Sequence, residues 1–221
     1  PEEEDWILYG PYSDKSLIRN VLIYNLSNQI GRYATKTKFY NLEINNIFLG
    51  VYVLMEKIKR DKNRVDISKN KPEDISGGYI IKIDKPTGDG GTFTSDIAFM
   101  SDYTSNGIKG LNKNPVFLYE YPKSEDISSD QKEYIQNYLR DFENALVSEN
   151  FQSDQDGYRQ FIDVNSFIDF FILNEISRNV DGYRISTYMN KDKGEKIKMG
   201  PIWDFNIAFG NANYCNGEST S

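Results

Sequence analysis

The sequence predicts an α+β fold, strand-rich in its first half and helical in its second, with a strand hairpin near the C-terminus. Three observations predict it. Short β-branched and aromatic runs bounded by turn residues dominate residues 6–84. Two stretches with helical apolar spacing follow, after residue 128 and after residue 163. A turn-rich Lys191-Asp192-Lys193-Gly194 then separates two runs that read as strands, residues 185–190 and 196–203. A chain of 221 residues can bury a sizeable core, in one domain or two closely packed lobes.

Taken in order, residues 6–9 read as a short strand. Ser13 and Asp14 offer N-caps to a helix with Leu17, Ile18, Val21, Leu22 and Leu26 on one face, and Gly31 ends it. Residues 39–45 and 48–57 read as strands around an Asn45-Asn46 turn. Residues 60–76 are polar and loop-like, and 78–84 form the next strand. Residues 85–114 are rich in Gly, Thr, Ser and Asp, which reads as a long loop with at most one short strand. Residues 116–121 are a strand stopped by Pro122. Ser128 or Ser129 caps a long helix to about residue 148, with Ile135, Leu139 and Phe142 on its apolar side. Asp163 caps another, apolar nearly all round and therefore expected to be buried.

Composition excludes several classes of function. Against 26 Lys and Arg stand 33 Asp and Glu, a net charge of −7, and no basic cluster occurs. Nucleic acid and anionic membrane, which need a basic face, are therefore not expected partners. No apolar run reaches the ~18 residues of a membrane span. The chain has no His, which removes imidazole-based nucleophile activation and His-ligated zinc. A single cysteine, Cys215, cannot form a disulfide within the chain. Sixteen Tyr and thirteen Phe argue against disorder.

Two loop aspartates flank the C-terminal hairpin: Asp181 in Asn179-Val180-Asp181-Gly182-Tyr183-Arg184, and Asp204 in Trp203-Asp204-Phe205-Asn206. A hairpin between them brings both carboxylates to one end of one sheet. Phosphotransferases build their centre that way, one Asp orienting the acceptor hydroxyl and the other holding the divalent metal. Spacing alone leaves a second reading open, in which each Asp is a cap or turn residue. A carboxylate pair amid many aromatics also suits a glycoside hydrolase.

The Asp181-Gly-Tyr-Arg184 segment, followed by Gly200-Pro-Ile-Trp-Asp-Phe-Asn-Ile-Ala-Phe-Gly210, resembles the signature of the spore-coat protein H (CotH) kinase family. Three upstream segments fit the same family in the same order: Tyr12-Ser-Asp-Lys-Ser-Leu-Ile-Arg19-Asn20, the 49–57 segment Leu-Gly-Val-Tyr-Val-Leu-Met-Glu-Lys, and the 77–84 segment Gly-Gly-Tyr-Ile-Ile-Lys-Ile-Asp. The likeness spans most of the chain.

The resemblance implies a bilobed, protein-kinase-like fold over residues 1–221, with a strand-rich lobe to 121 and a helical lobe with the catalytic loops from 122. It implies ATP with Mg²⁺ or Mn²⁺ as cofactors, and a protein substrate phosphorylated on Ser or Thr. It implies a place outside the cell, at the surface or in a spore coat. Asp204 would then ligate the metal, with Asn206 beside it. Asp181 would be the catalytic-loop carboxylate, or a second metal ligand, with Arg184 pairing an acid or touching phosphate. Glu56 would pair with a phosphate-binding cation, for which Arg19, Lys57 and Lys82 are candidates. Glu120 and Tyr121 would occupy the hinge against the nucleotide. Two departures from the family pattern stand out: Asn206 where Asp is common, and Ser186 where Asn is common. Both leave room for a nucleotide-binding pseudokinase acting as a structural or adhesive surface module. Both ends read as cut from a longer chain, with the phosphate-binding Lys and a partner for Cys215 expected outside it and exposed apolar surface at one edge.

Overall fold

Two consecutive asparagines make the first hairpin. Asn45 and Asn46 both adopt left-handed backbone (φ 52° and 63°), the conformation a two-residue type I′ connection requires and that Asn tolerates better than most residues. Strands β2 (Thr37–Ile44) and β3 (Ile47–Glu56) therefore pair antiparallel, with β1 (Trp6–Tyr9) on the other edge of β3. The computed structural model describes residues 4–86, 93–104 and 114–218.

A second, five-stranded sheet has the order β5-β6-β4-β7-β8. It is built from β4 (Tyr79–Ile83), β5 (Ala98–Met100), β6 (Val116–Tyr121), β7 (Thr187–Lys191) and β8 (Ile197–Met199). The hairpin expected between the two aspartates is β7–β8, shorter than expected at its open end and shifted by one residue at its turn. The sheet joins strands from both sides of residue 121, where the lobe boundary was expected. Parts of the long loop outside β5, residues 87–92 and 105–113, lie outside the described residues.

Alternation along β4 separates the two faces of this sheet. Tyr79 and Ile81, with Phe117, Tyr119, Met189 and Ile197, pack against Ile135 and Leu139 of α2 (Ser129–Val147). Each such buried aliphatic or aromatic side chain contributes about 1.5–3 kcal/mol. Ile80 and Tyr188 point the other way, onto Ile58, Val65 and Ile67. A further core joins α1 (Arg19–Gln29) and α3 (Val164–Ser177) to the first sheet, through Ile23, Tyr24, Val53, Met55, Phe170, Leu173 and Phe205.

The starts read for the two later helices are found, whereas α1 begins at Arg19, with Ile18 at its N-cap position and no side-chain cap, and not at Ser13 or Asp14. Ser128 and Gln131 form a reciprocal capping box on α2, and Asp163 accepts the Ser166 N–H at 3.0 Å on α3. Two expectations about helix faces are corrected. On α1 the buried side is Asn20, Ile23, Tyr24 and Ser27, while Ile18 and Leu22 are exposed. Its inward face carries polar groups because they bond backbone elsewhere. On α3 only Ser166, Phe170, Leu173, Asn174 and Ser177 are buried, and Ile168, Phe171, Ile172 and Ile176 face outward. Of that outer stripe, Phe171 meets the Tyr183 ring, with centroids 6.3 Å apart.

Candidate functional site

Asp181 and Asp204 hang on loops tied to one another by the helix end between them. The last turn of α3 closes at Arg178, left-handed at φ 50°, and the Ser177 carbonyl accepts the Phe209 N–H at 2.6 Å. That bond fixes the end of the Asp204 loop to the start of the Asp181 loop. Left-handed backbone at non-glycine residues recurs through both loops, at Tyr183 (72°), Ser186 (52°), Asp204 (62°) and Phe209 (53°). Such conformations persist only where surroundings hold them, and they gather at functional sites.

Behind Asp181 stands a network of asparagines. Asn174, buried on α3, donates to the Phe170 carbonyl at 2.9 Å and accepts from the Asn179 amide at 3.0 Å. Asn179 Oδ1 accepts the Asp181 N–H at 3.3 Å. Gly182 is required here, because a Cβ at this position would lie 2.4 Å from Asn174 Oδ1. The Asp181 carboxylate is held from both sides, by the Arg184 guanidinium on Oδ1 and by the Tyr214 hydroxyl at 2.8 Å on Oδ2. Arg184 thus pairs with an acid.

Asp204 lies mostly buried. Burial raises its carboxyl above the usual range, the negative charges of Asp181 and Asp84 act in the same direction, and the Ser186 hydroxyl and Lys82 oppose them. The Ser186 hydroxyl donates to Asp204 Oδ2 at 3.4 Å. The charge of Asp181 is therefore felt at Asp204. Lys82 sits opposite Tyr188 across the β4–β7 ladder, pairs with Asp84 at 2.5 Å, and lies 5.5 Å from the Tyr188 ring centre. Burial raises the Tyr188 pKa, followed by the charges of Glu120, Asp84 and Asp204. Tyr188 thus lies on the face of the sheet away from α2 and feels the charge of all three carboxylates.

Glu120 pairs with Lys123 at 2.7 Å, and the Tyr121 hydroxyl accepts the Asn70 N–H at 3.2 Å. Both line a cavity of about 230 Å³ with Ile58, Lys59 and Arg60. A separate cavity of about 470 Å³ opens beside the Asp181 loop, lined by Asp84, Pro86, Val116, Tyr183, Arg184 and Ile185. A cavity of about 320 Å³ between α1, α3 and β8 contains none of the predicted site residues.

Glu56 is a correction. It is fully buried, but its carboxylate accepts the Tyr33 hydroxyl and the Lys36 N–H, both at 3.1 Å. None of the expected cations meets it: Arg19 pairs with Asp14, Lys82 with Asp84, and Lys57 is exposed.

Asp204 and Asn206, two positions apart on one loop, are the residues that would hold a divalent cation. Among the described residues, no group of three or more His, Cys, Asp or Glu is gathered for a metal. Mg²⁺ needs few protein ligands, because it keeps waters and takes substrate phosphate oxygens, so one carboxylate with a neutral oxygen fits it. The buried Tyr9 hydroxyl has no hydrogen-bond partner of good geometry and faces the Asn206 side chain. Burial, then the charges of Asp204 and Asp14, raise its pKa.

A family model described as CotH kinase protein matches residues 1–221, the whole chain. The chain belongs to the CotH kinase family. Among curated proteins no match was found. Membership makes this an atypical kinase-like protein, of a family associated with the spore coat. Among the described residues of this CotH domain, no helix is long and apolar enough to cross a membrane. Sequence reasoning missed Tyr214, Asp84, Tyr9, and the α1 residues Asn20 and Tyr24 as neighbours of the two aspartates. Only Asn20 and Asp84 carried a signal, as the final residues of family-like segments.

Proposed function

We propose that this chain is a Mg²⁺- or Mn²⁺-dependent atypical protein kinase that transfers the ATP γ-phosphoryl group to Ser or Thr of a surface or coat protein. The observation that supports it best is the Ser177 carbonyl–Phe209 N–H bond, which ties the Asp204 loop to the Asp181 loop at the end of α3. Asp204 and Asn206 would hold the cation. When bound, the ion draws the phosphate oxygens together and offsets their charge. Lys82 would face the phosphates, and Glu120 and Tyr121 the base of the nucleotide. Asp181 would take the proton of the acceptor hydroxyl while that oxygen bonds to the γ-phosphorus and the bond to the bridging oxygen of ADP breaks.

The test is incubation with γ-labelled ATP and Mn²⁺, alone and with Ser/Thr-containing surface or coat protein. Label on protein, lost in Asp204→Ala, is the expected result. The neutral Asn206 favours a second reading, a pseudokinase that binds ATP without transferring phosphate. Nucleotide-dependent thermal stabilisation with no label would select it, and neither signal would exclude both.

A further inference from the structure

The family-like segment 12–20 has no part in the chemistry proposed above, yet it is densely bonded to the Asp204 loop. Asp14 is buried, and its Oδ1 accepts the Ser16 N–H at 3.0 Å and the Ser16 hydroxyl at 2.6 Å. Oδ2 accepts the Arg19 N–H at 2.9 Å, and the Arg19 guanidinium pairs with the same carboxylate. So oriented, Arg19 donates through Nε to the Ala208 carbonyl at 3.0 Å and through Nη2 to the Phe209 carbonyl at 3.5 Å. The next residue, Asn20, accepts the Phe205 N–H at 2.7 Å. One turn along, the Tyr24 hydroxyl accepts the Asp204 N–H at 3.0 Å, and its ring stacks on Trp203 with centroids 6.1 Å apart. One face of α1 thus grips the backbone at 204, 205, 208 and 209, the stretch whose ends are left-handed at Asp204 and Phe209.

We propose that Asn20 and Tyr24, anchored through Asp14 and Arg19, are positioning residues that hold Asp204 in its left-handed turn and so aim its carboxylate at the metal–nucleotide site. The inference rests on the kinase reading above. The physical ground is that the Phe205 N–H is a buried donor and the Asp204 N–H a part-buried one, and the loop turns away from its strained conformation if either loses its acceptor. A helix that only packed against the loop would fill the core with apolar side chains; this one spends two buried polar side chains on loop amides.

The test uses the full chain with Trp203 as the sole tryptophan (Trp6→Phe). Tyr24→Phe removes one hydroxyl and keeps the ring on Trp203; Asn20→Leu removes the other acceptor at similar volume. Mn²⁺ is titrated at fixed ATP, reading thermal stabilisation and Trp203 emission. Both variants should need about tenfold more Mn²⁺ for the half-maximal response, the cost of an unsatisfied buried donor. Lower melting temperatures with an unchanged Mn²⁺ midpoint would show a packing role and overturn the inference alone. A parent protein with no Mn²⁺–ATP response would overturn the kinase reading and this inference together. If Asn20→Leu does not fold, the Tyr24→Phe midpoint decides.

Discussion

The Tyr214 hydroxyl donates to Oδ2 of Asp181 at 2.8 Å, while Arg184 holds Oδ1. Burial, and then this bond, push the Tyr214 pKa up to about 12, so Tyr214 remains a donor across the physiological range. An acceptor hydroxyl approaching Asp181 must compete with it for Oδ2.

That competition separates two variants. Asp181→Asn should lower phosphoryl transfer by roughly 10²–10⁴-fold, the usual contribution of a general base, while ATP-dependent thermal stabilisation persists. Tyr214→Phe removes only the competing donor and should change transfer by less than about tenfold. Loss of ATP stabilisation in Asp181→Asn would instead make Asp181 a metal ligand.

Asp204→Asn separates stability from binding. Burial and the neighbouring charge of Asp181 disfavour the ionised carboxylate, so a neutral isostere should raise the melting temperature of the ligand-free protein at pH 7. The same change removes the charged metal ligand. At ATP a hundredfold above its Kd, the wild type should gain about 2.7 kcal/mol of stability in the presence of Mn²⁺, and the variant none. Calorimetry with and without Mn²⁺–ATP reads both effects, and a variant that keeps the wild-type gain refutes the assigned role.

What was legible in the sequence is what short-range chemistry writes there. Asn45-Asn46 specifies its own turn, and Ser128 with Gln131 its own cap. The β7–β8 hairpin between Asp181 and Asp204 was legible because a turn-rich Lys191-Asp192-Lys193-Gly194 separates two strand-like runs. The buried face of α1 was not, because Asn20 and Tyr24 are satisfied by amides 185 and 180 positions away. The partner of Glu56 was misread for a related reason: charge suggested a cation, and folding supplied a tyrosine hydroxyl and a backbone amide. On α3, apolar character all round signalled burial, yet the fold covers one side of it.

Gly182→Ala tests the support behind Asp181. The new methyl would meet Asn174 Oδ1 at 2.4 Å and the Asn179 carbonyl at 3.1 Å, the two residues that hold the loop. Asn174 is buried between the helix and the loop and cannot swing clear. Overpacking of this kind costs about 1–3 kcal/mol. Because the displaced loop carries Asp181, transfer should fall by more than the loss of folded protein explains, with ATP stabilisation retained. Urea unfolding beside the transfer assay measures both, and equal losses in the two would remove Asn174 and Asn179 from any positioning role.

Glu143 gives a pH signature remote from the site. It lies on α2, where burial raises its carboxyl above the ordinary range, and the charge of Asp102 acts the same way against the Ser101 hydroxyl and Arg140. A carboxyl with a raised folded pKa binds its proton more tightly in the native state. Its stabilising contribution is therefore complete below the ordinary carboxylate range and is lost as pH climbs through the folded value. Glu143→Gln keeps an acceptor for the Ser101 hydroxyl without the charge. It should melt above wild type at pH 7, by roughly 2–4 °C per kcal/mol of relieved burial cost. The gap should close as pH falls toward 4, where wild-type Glu143 is itself neutral. Melting temperatures for the two proteins across pH 4–7.5 decide the matter, and a gap of constant size would mean that Glu143 keeps an ordinary pKa in the folded protein.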